Sequence, residues 1–408
     1  MEEGIDSIQD LTDLGLDKLT AKVLLKRIVL WKEHGLPEGF CAKADSECAV
    51  PSTLSTTTTT TESASAAFIA EKQLDDDFVA AQWRYCRAAS DRIIASAEAG
   101  NHLAEAYLSI LYYRGETLVE KSRAKAEHCA THALPWLREK AISGNMFAQF
   151  NLALCFDDAR GVNQNVNEAV RYARLAAEQG HASSQYFLGQ CYDEGAGVVL
   201  DETVAASYYK LAADQGHSSA QYNLGVNYAS GTGVTKDKHE AIKYYRLAAD
   251  QGDPIALFSL AKCYEVGRAG IAKDLKEAVR FFQLAAERGK KEAQFRLGCW
   301  YDEGYGVPKD EREAARYYKL ASDQGHAEAQ FNLAVCYNEG SGVAVDESEA
   351  FRYFQLAANK GDADALYNVG RCYAKGTGVL IDKLKAVRFY MLAAEQGQQE
   401  AIRKLGKI

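Results

Sequence analysis

The chain has 408 residues, 47% of them apolar and 25% charged, a balance that excludes a mainly disordered, collagen-like or membrane-spanning protein. Of its net charge of −9, residues 1–66 carry −5 and the remaining 342 only −4, so the composition holds no basic surface of the kind that binds nucleic acid. With 32 glycines against 5 prolines, and 23 tyrosines, glycine and tyrosine are being used at fixed positions and not as loop filler.

The opening residues Met1 to Asp6 lack a basic stretch followed by an apolar one, and no run approaches the ~18 apolar residues that a membrane span needs. The expectation is therefore a cytoplasmic protein without membrane insertion, its 10 cysteines reduced. Residues 1–49 read as a helical segment, in which Leu11-Thr12-Asp13-Leu14-Gly15-Leu16-Asp17-Lys18-Leu19 leads into a helix with Val23, Leu24, Ile28 and Trp31. That turn and helix resemble the C-terminal half of a SAM domain, which would imply self-association. The stretch before Cys41 is too short for a whole one, so a remnant, an incomplete start and a plain amphipathic partner helix all stay open. Residues 50–66, with six consecutive threonines from Thr56 to Thr61, cannot bury a core and read as a flexible linker. Residues 67–100, with Phe78, Trp83, Ile93 and Ile94, read as a helix that caps the region beginning at residue 101.

From residue 101 the chain repeats. A glycine closes a Leu-Ala-Ala-like block at Gly144, Gly180, Gly216, Gly252, Gly289, Gly325, Gly361 and Gly397, with steps of 36 residues and a single 37. Gly100 lies 44 residues before Gly144, so the first of eight units over 101–397 carries an eight-residue insertion, and residues 398–408 begin a further half unit as a cap. Each unit reads as two helices, exemplified by Ala329-Gln330-Phe331-Asn332-Leu333-Ala334-Val335-Cys336-Tyr337 and Glu240-Ala241-Ile242-Lys243-Tyr244-Tyr245-Arg246-Leu247-Ala248-Ala249, with apolar residues at i, i+3, i+4 and i+7. Gly195, Gly231, Gly304, Gly340 and Gly376 stand where the first helix stops. Asp237, Asp274, Asp310 and Asp346 precede the second, each followed three residues later by a glutamate, which predicts capping boxes. The column Gly189, Gly225, Gly298 and Gly370 predicts close helix approach, with tyrosines filling the space it leaves.

These residues resemble the Sel1-like repeats, relatives of the tetratricopeptide repeat. The 36-residue step with a Gly-x-Gly-Val turn separates them from the 34-residue tetratricopeptide form. The resemblance implies an all-α fold, a right-handed α-α superhelix of helix pairs, and work as an adaptor or regulatory subunit in settings such as signalling, protein degradation, cell-wall synthesis or host interaction.

Chemical motifs point elsewhere than catalysis. Cys155, Cys191, Cys263, Cys336 and Cys372 occupy one column on successive units; helices ~8–10 Å apart hold such thiols beyond the ~7 Å reach of a disulfide. They read as small buried hydrophobes. His181, His217 and His326 each follow a unit-closing glycine, one per unit, and read as polar residues at helix starts and not as metal ligands. Gly304-Tyr305-Gly306-Val307 lacks the remaining elements of a phosphate loop and reads as a turn. No catalytic residue, cofactor site or metal site is assigned. The competing enzyme reading, a penicillin-binding or β-lactam-hydrolysing activity as in some secreted relatives, wants a signal segment and a second cysteine per unit.

What remains is a surface. Positions 3, 7, 10 and 14 after each unit glycine fall on one face of the first helix and vary most between units. The seventh holds Asn151, Phe187, Asn223, Ser259, Arg296, Asn332 and Asn368, and the tenth includes Gln190, Lys262 and Arg371. An asparagine amide can both donate to and accept from a peptide backbone. By resemblance to tetratricopeptide repeats this face lines a concave groove for a partner peptide or helix. A solvated helix face, or a purely structural spacer, would use asparagine as well.

Overall fold

The computed structural model describes residues 67–78, 87–115, 121–268 and 270–405; among them every regular element is helical, and none of the helices is long and apolar enough to cross a membrane. The segments 1–49 and 50–66 lie outside the described residues. The chain divides into two units, one ending at Gln215 and the other beginning at Gly216.

The first unit contains α1 (67–78), α2 (Arg87–Glu98), α3 (His102–Arg114), α4 (Arg123–Ile142), α5 (Met146–Asp158), α6 (Val166–Glu178), α7 (Ala182–Glu194) and α8 (Glu202–Asp214). The second contains α9 (Ser218–Ser230), α10 (Lys238–Asp250), α11 (Pro254–Val266), α12 (Leu275–Glu287), α13 (Lys291–Glu303), α14 (Glu311–Asp323), α15 (Ala327–Glu339), α16 (Glu347–Ala358), α17 (Ala363–Lys375), α18 (Lys383–Glu395) and α19 (Gln399–Leu405). From α3 onward, within each unit, consecutive helices pack as pairs, the solenoid arrangement.

The sequence dictates where each helix begins and ends. Gly304 ends α13 at φ 73°, and its N–H returns to the Trp300 carbonyl. Ala159 does the same for α5 at φ 55°, a left-handed conformation that costs a residue with a Cβ about 1–2 kcal/mol. Asp237, Asp274, Asp310 and Asp346 are N-caps, their carboxylates accepting backbone N–H groups of the next turn. The predicted capping box closes only halfway. The N–H of each Asp donates instead to the last aromatic of the preceding helix, as from Asp237 to the Tyr228 carbonyl at 2.9 Å and from Asp346 to Tyr337 at 3.0 Å. One orphan donor thus satisfies one orphan carbonyl of the neighbouring helix. The glutamates are released to pair along their own helix: Glu313 with Arg316, and Glu349 with Arg352. Each of these guanidinium groups lies over the next ring, Tyr317 or Tyr353, at 4.1 Å.

Packing between paired helices follows the small-residue column. A Cβ at Gly298 would stand 2.5 Å from the Tyr318 ring, and one at Gly189 equally close to Tyr209, so in these pairs the tyrosine ring occupies the space that a side chain would need. A second device joins repeats. Gln149 and Gln185, both buried, donate to the carbonyls of Ala141 and Ala177 in the preceding repeat at 3.0 and 3.2 Å. Their oxygens accept from Gln179 and Gln215 at 2.7 and 2.6 Å. In the second unit Gln294 makes the same pair of bonds, to Ala286 and from Gln324.

The insertion lies in α4, which has 20 residues where α6 has 13. Its start answers α6 through buried Ala126 and Ala130, as Ala169 and Ala173, and its end through Ala141, which accepts from Gln149 as Ala177 does from Gln185, so about two added turns lie between them.

Candidate functional site

In the second unit a groove of about 850 Å³ runs over α13 and α15. Its floor has Phe295 and Phe331 at unit position 6, and Arg296 and Asn332, two residues predicted for the binding face, stand beside them at position 7. Around them are five carboxylates: Glu265, Glu303, Glu328, Asp362 and Asp364. Among the described residues that line the groove, Arg296 alone is a cation. It pairs with the buried Glu265 of α11, while Asp362 is spent capping α17 at Ala365 N–H. Glu303, Glu328 and Asp364 are exposed. Like-signed carboxylates on the walls of one groove focus a negative potential into it, which attracts cationic side chains.

The corresponding face of the first unit is covered by the chain itself. Helix α1 lies across side chains of three successive repeats. Its Asp75 accepts the Tyr107 hydroxyl at 2.7 Å and faces His181 Nε2 at 3.1 Å. Its Glu71 accepts from Asn145 Nδ2 at 2.7 Å. Phe78 stacks on Tyr107 with ring centroids 4.7 Å apart, and Phe68 meets Phe147 at 5.7 Å. Leu74 and Phe78 are buried in one cluster with Tyr107, Phe147, Phe150 and Leu154. Burial and the Asp75 charge together push the Tyr107 phenol well above its ordinary pKa, so it stays a donor.

The predicted residues therefore divide by unit. Asn151 corrects the sequence reading: it is 1% exposed beside Tyr107, and its amide donates to the Phe147 carbonyl one turn back at 2.9 Å. Phe187 packs half-buried against the same cluster. Both are turned inward because α1 covers the face they belong to. Gln190 is half-buried. In the second unit Arg296 and Lys262 are exposed, the latter with its Nζ 5.9 Å from the Phe258 ring, and Asn223, Asn332, Asn368 and Arg371 are half-buried. The structure gathers Arg296 and Asn332 in the groove. Asn368 spends its amide on the Asp364 carbonyl of its own helix at 2.9 Å.

His181, His217 and His326 are N-caps, each accepting at Nδ1 from a backbone N–H of the following turn. At His181 this fixes the tautomer, leaving Nε2–H for Asp75. The cysteine column is made of free thiols. Burial pushes Cys191 and Cys336 up to about 12, which leaves them without thiolate character at neutral pH. Sequence reasoning passed over the buried glutamine column and α1's carboxylates. The first was visible as a repeated Ala-Gln; the second had no periodic signal.

A model of the Sel1 repeat family matches residues 102–131, 147–181, 182–217, 218–253, 254–290, 291–326, 327–362 and 363–398. Among solved structures, a protective antigen present in uropathogenic Escherichia coli strains, described as displaying an SLR fold, aligns with a TM-score of 0.60 at 29% identity over 78% of this chain and 66% of that one. The chain thus spans just under two thirds of that protein's length. A Sel1 repeat protein from Oxalobacter formigenes aligns with a TM-score of 0.54 at 29% identity, over 78% of this chain and 89% of that one. No protein of curated description matches the sequence.

Proposed function

The chain belongs to the Sel1 repeat family, whose repeats mediate protein–protein interaction, and from that premise we propose that it is a scaffold whose second unit holds a basic segment of a partner protein in the groove over α13 and α15. The observation that carries this reading is α1. In the first unit the columns predicted to hold a partner already hold a helix, gripped through two of its carboxylates and its aromatic residues. The same columns in the second unit offer Phe295, Phe331, Arg296 and Asn332 within a ring of carboxylates. An acidic helix such as α1, with Glu71, Asp75, Asp76 and Asp77, would be repelled there. A lysine- or arginine-rich segment supplies the complementary charge, with the aromatic floor taking its apolar residues.

The test is fluorescence anisotropy on the intact chain, using amphipathic peptides that carry lysine and arginine, and counterparts with glutamate in their place. Basic peptides should bind and weaken as salt rises, and acidic ones should not bind. Glu303→Lys combined with Glu328→Lys should abolish binding, whereas Asp75→Ala should leave it intact. Binding of the basic peptides that survives the charge reversal would refute the groove as their site.

A further inference from the structure

The first repeat departs from the glutamine column in its own way. Where five later repeats hold Gln149, Gln185, Gln221, Gln294 and Gln330 and two hold Leu257 and Leu366, α3 carries Glu105. Its carboxylate meets two histidines. Oε2 lies 3.0 Å from Nδ1 of His102, three residues earlier on the same helix, and 2.8 Å from Nδ1 of His132 on α4. The two imidazole rings lie with centroids 5.3 Å apart, tilted at 52° to each other. One ligand atom from each of the three residues lies within 4.8 Å of the others. Glu105 is mostly buried, His102 is half-buried and His132 is exposed, so the cluster is anchored in the helix pair and open to solvent on one side.

We propose that His102, Glu105 and His132 form a binding site for a divalent transition-metal cation of the zinc class, clamping α3 to α4. Two imidazoles and one carboxylate are the donor set that such ions take, with a fourth, open position left to water. Bonds of ~2.0–2.1 Å to a tetrahedral centre set donor atoms about 3.3 Å apart. The observed 2.8 and 3.0 Å separations from Glu105 need to open by a few tenths of an ångström, and the two imidazole donors, within 4.8 Å of one another, to close by up to about 1.5 Å through rotation of the exposed His132 side chain. In the metal-free arrangement each neutral imidazole places its proton on Nδ1 to donate to Glu105. When the ion binds, that proton moves to Nε2 by exchange with water and the Nδ1 lone pair faces the metal, so no net charge is lost from the ligands. The helix spacing makes the site chelating: His102 and Glu105 share a face at i, i+3, and α4 supplies the third ligand from across the pair. Both imidazoles reach Oε2 of Glu105, and His132 Nδ1 lies 3.0 Å from Oε1 as well, so the carboxylate stands between the two rings.

The site lies in the first unit and is independent of the groove reading. Its test uses the full chain stripped with a chelator and titrated with Co²⁺, and then with Zn²⁺, by calorimetry and visible absorption. One ion per chain is expected, with the d–d bands of a nitrogen–oxygen site. The variant Glu105→Gln with His132→Leu places at these positions residues that neighbouring repeats use, so the fold is retained while two ligands are lost. It should bind at least ~100-fold more weakly, and His102→Gln alone at least ~10-fold, since even the loss of an outer partner of a metal ligand costs ~10–100-fold. His217→Asn should bind as the parent does. Equal binding by the double variant, intense thiolate-to-cobalt charge-transfer bands, or no saturable ion on the parent chain would overturn the assignment.

Discussion

Replacing Asp75 by alanine should release α1 from the face of the first unit. Asp75 is the acceptor for two donors that have no route to water: the Tyr107 hydroxyl, on a fully buried residue, and Nε2–H of His181, which is 3% exposed. Leaving a buried donor unmade costs about 1–3 kcal/mol. The two together take about 2–6 kcal/mol from the docked state, of the same order as what burying Leu74 and Phe78 contributes at ~1.5–3 kcal/mol each. At ~1.4 kcal/mol per factor of ten, amide protection across 67–78 should fall at least about 30-fold, and by up to about 20,000-fold if both donors are fully lost. Hydrogen exchange read by mass spectrometry on the intact chain measures this directly. Amides of α13 in the second unit serve as the internal reference and should keep their protection. Asp75→Asn retains one acceptor oxygen and should lose roughly half as much free energy. Unchanged protection over 67–78 in the alanine variant would show that apolar contacts alone seat the helix, and the account of the face as a gripping surface would fail with it.

Three further outcomes rest on the same kind of contact. Burial holds the His326 imidazole below its ordinary pKa, and as an N-cap acceptor it must be unprotonated at Nδ1; its stability contribution is therefore full above the unfolded value of about 6.5 and is lost as pH falls from there through the folded one. Thermal scans between pH 7.5 and 5 should show that loss in the parent and a smaller one in His326→Asn, which caps without titrating. Gly298→Ala puts a Cβ 2.5 Å from the Tyr318 ring, a strain of about 1–3 kcal/mol against a helix-propensity gain of ~1 kcal/mol. A lower urea midpoint is expected. The cost should shrink beside Tyr318→Phe, because Ala261 and Ala334 occupy this column where Phe282 and Phe354 replace the tyrosine. Ala159→Gly relieves a φ of 55°; ~1–2 kcal/mol of strain less ~0.4–1 kcal/mol of added unfolded-state entropy leaves a gain of about 0.5–1 kcal/mol, readable as a raised urea midpoint.

What periodicity encodes, the sequence made legible. The helix stops at Gly304 and its equivalents, the aspartate caps and the glycine–tyrosine packing each recur every 36 residues, so one physical reason explains many positions at once. The capping boxes were only half readable: the motif matched, but the N–H of Asp237 had a better partner in the Tyr228 carbonyl of the neighbouring helix, and no single-helix motif contains that acceptor. Asn151 was misread for a different reason. Its column does form one face, but what covers that face is a helix whose Asp75 reaches His181 across 106 residues of sequence. A contact made once at that separation leaves no trace in spacing or composition.

The places where the repeat rule fails are where chemistry specific to this chain collects. Glu105 stands in a column that is mostly glutamine, His132 lies in α4, the helix that carries the added turns, and Ala159 stands where other repeats have glycine. Positions that obey the rule are already occupied in building the stack, as Gln294 is by its bonds to Ala286 and Gln324. The same logic separates the two faces. The first unit meets the carboxylates of α1 with Asn145, Tyr107 and His181, donors that are neutral or titratable. The second presents Glu303, Glu328 and Asp364 to solvent, with the guanidinium of Arg296 already engaged by Glu265. On the proposed reading the two surfaces ask for opposite charge: the donors that hold α1 suit carboxylates, whereas the exposed carboxylates of the second-unit groove suit a basic segment.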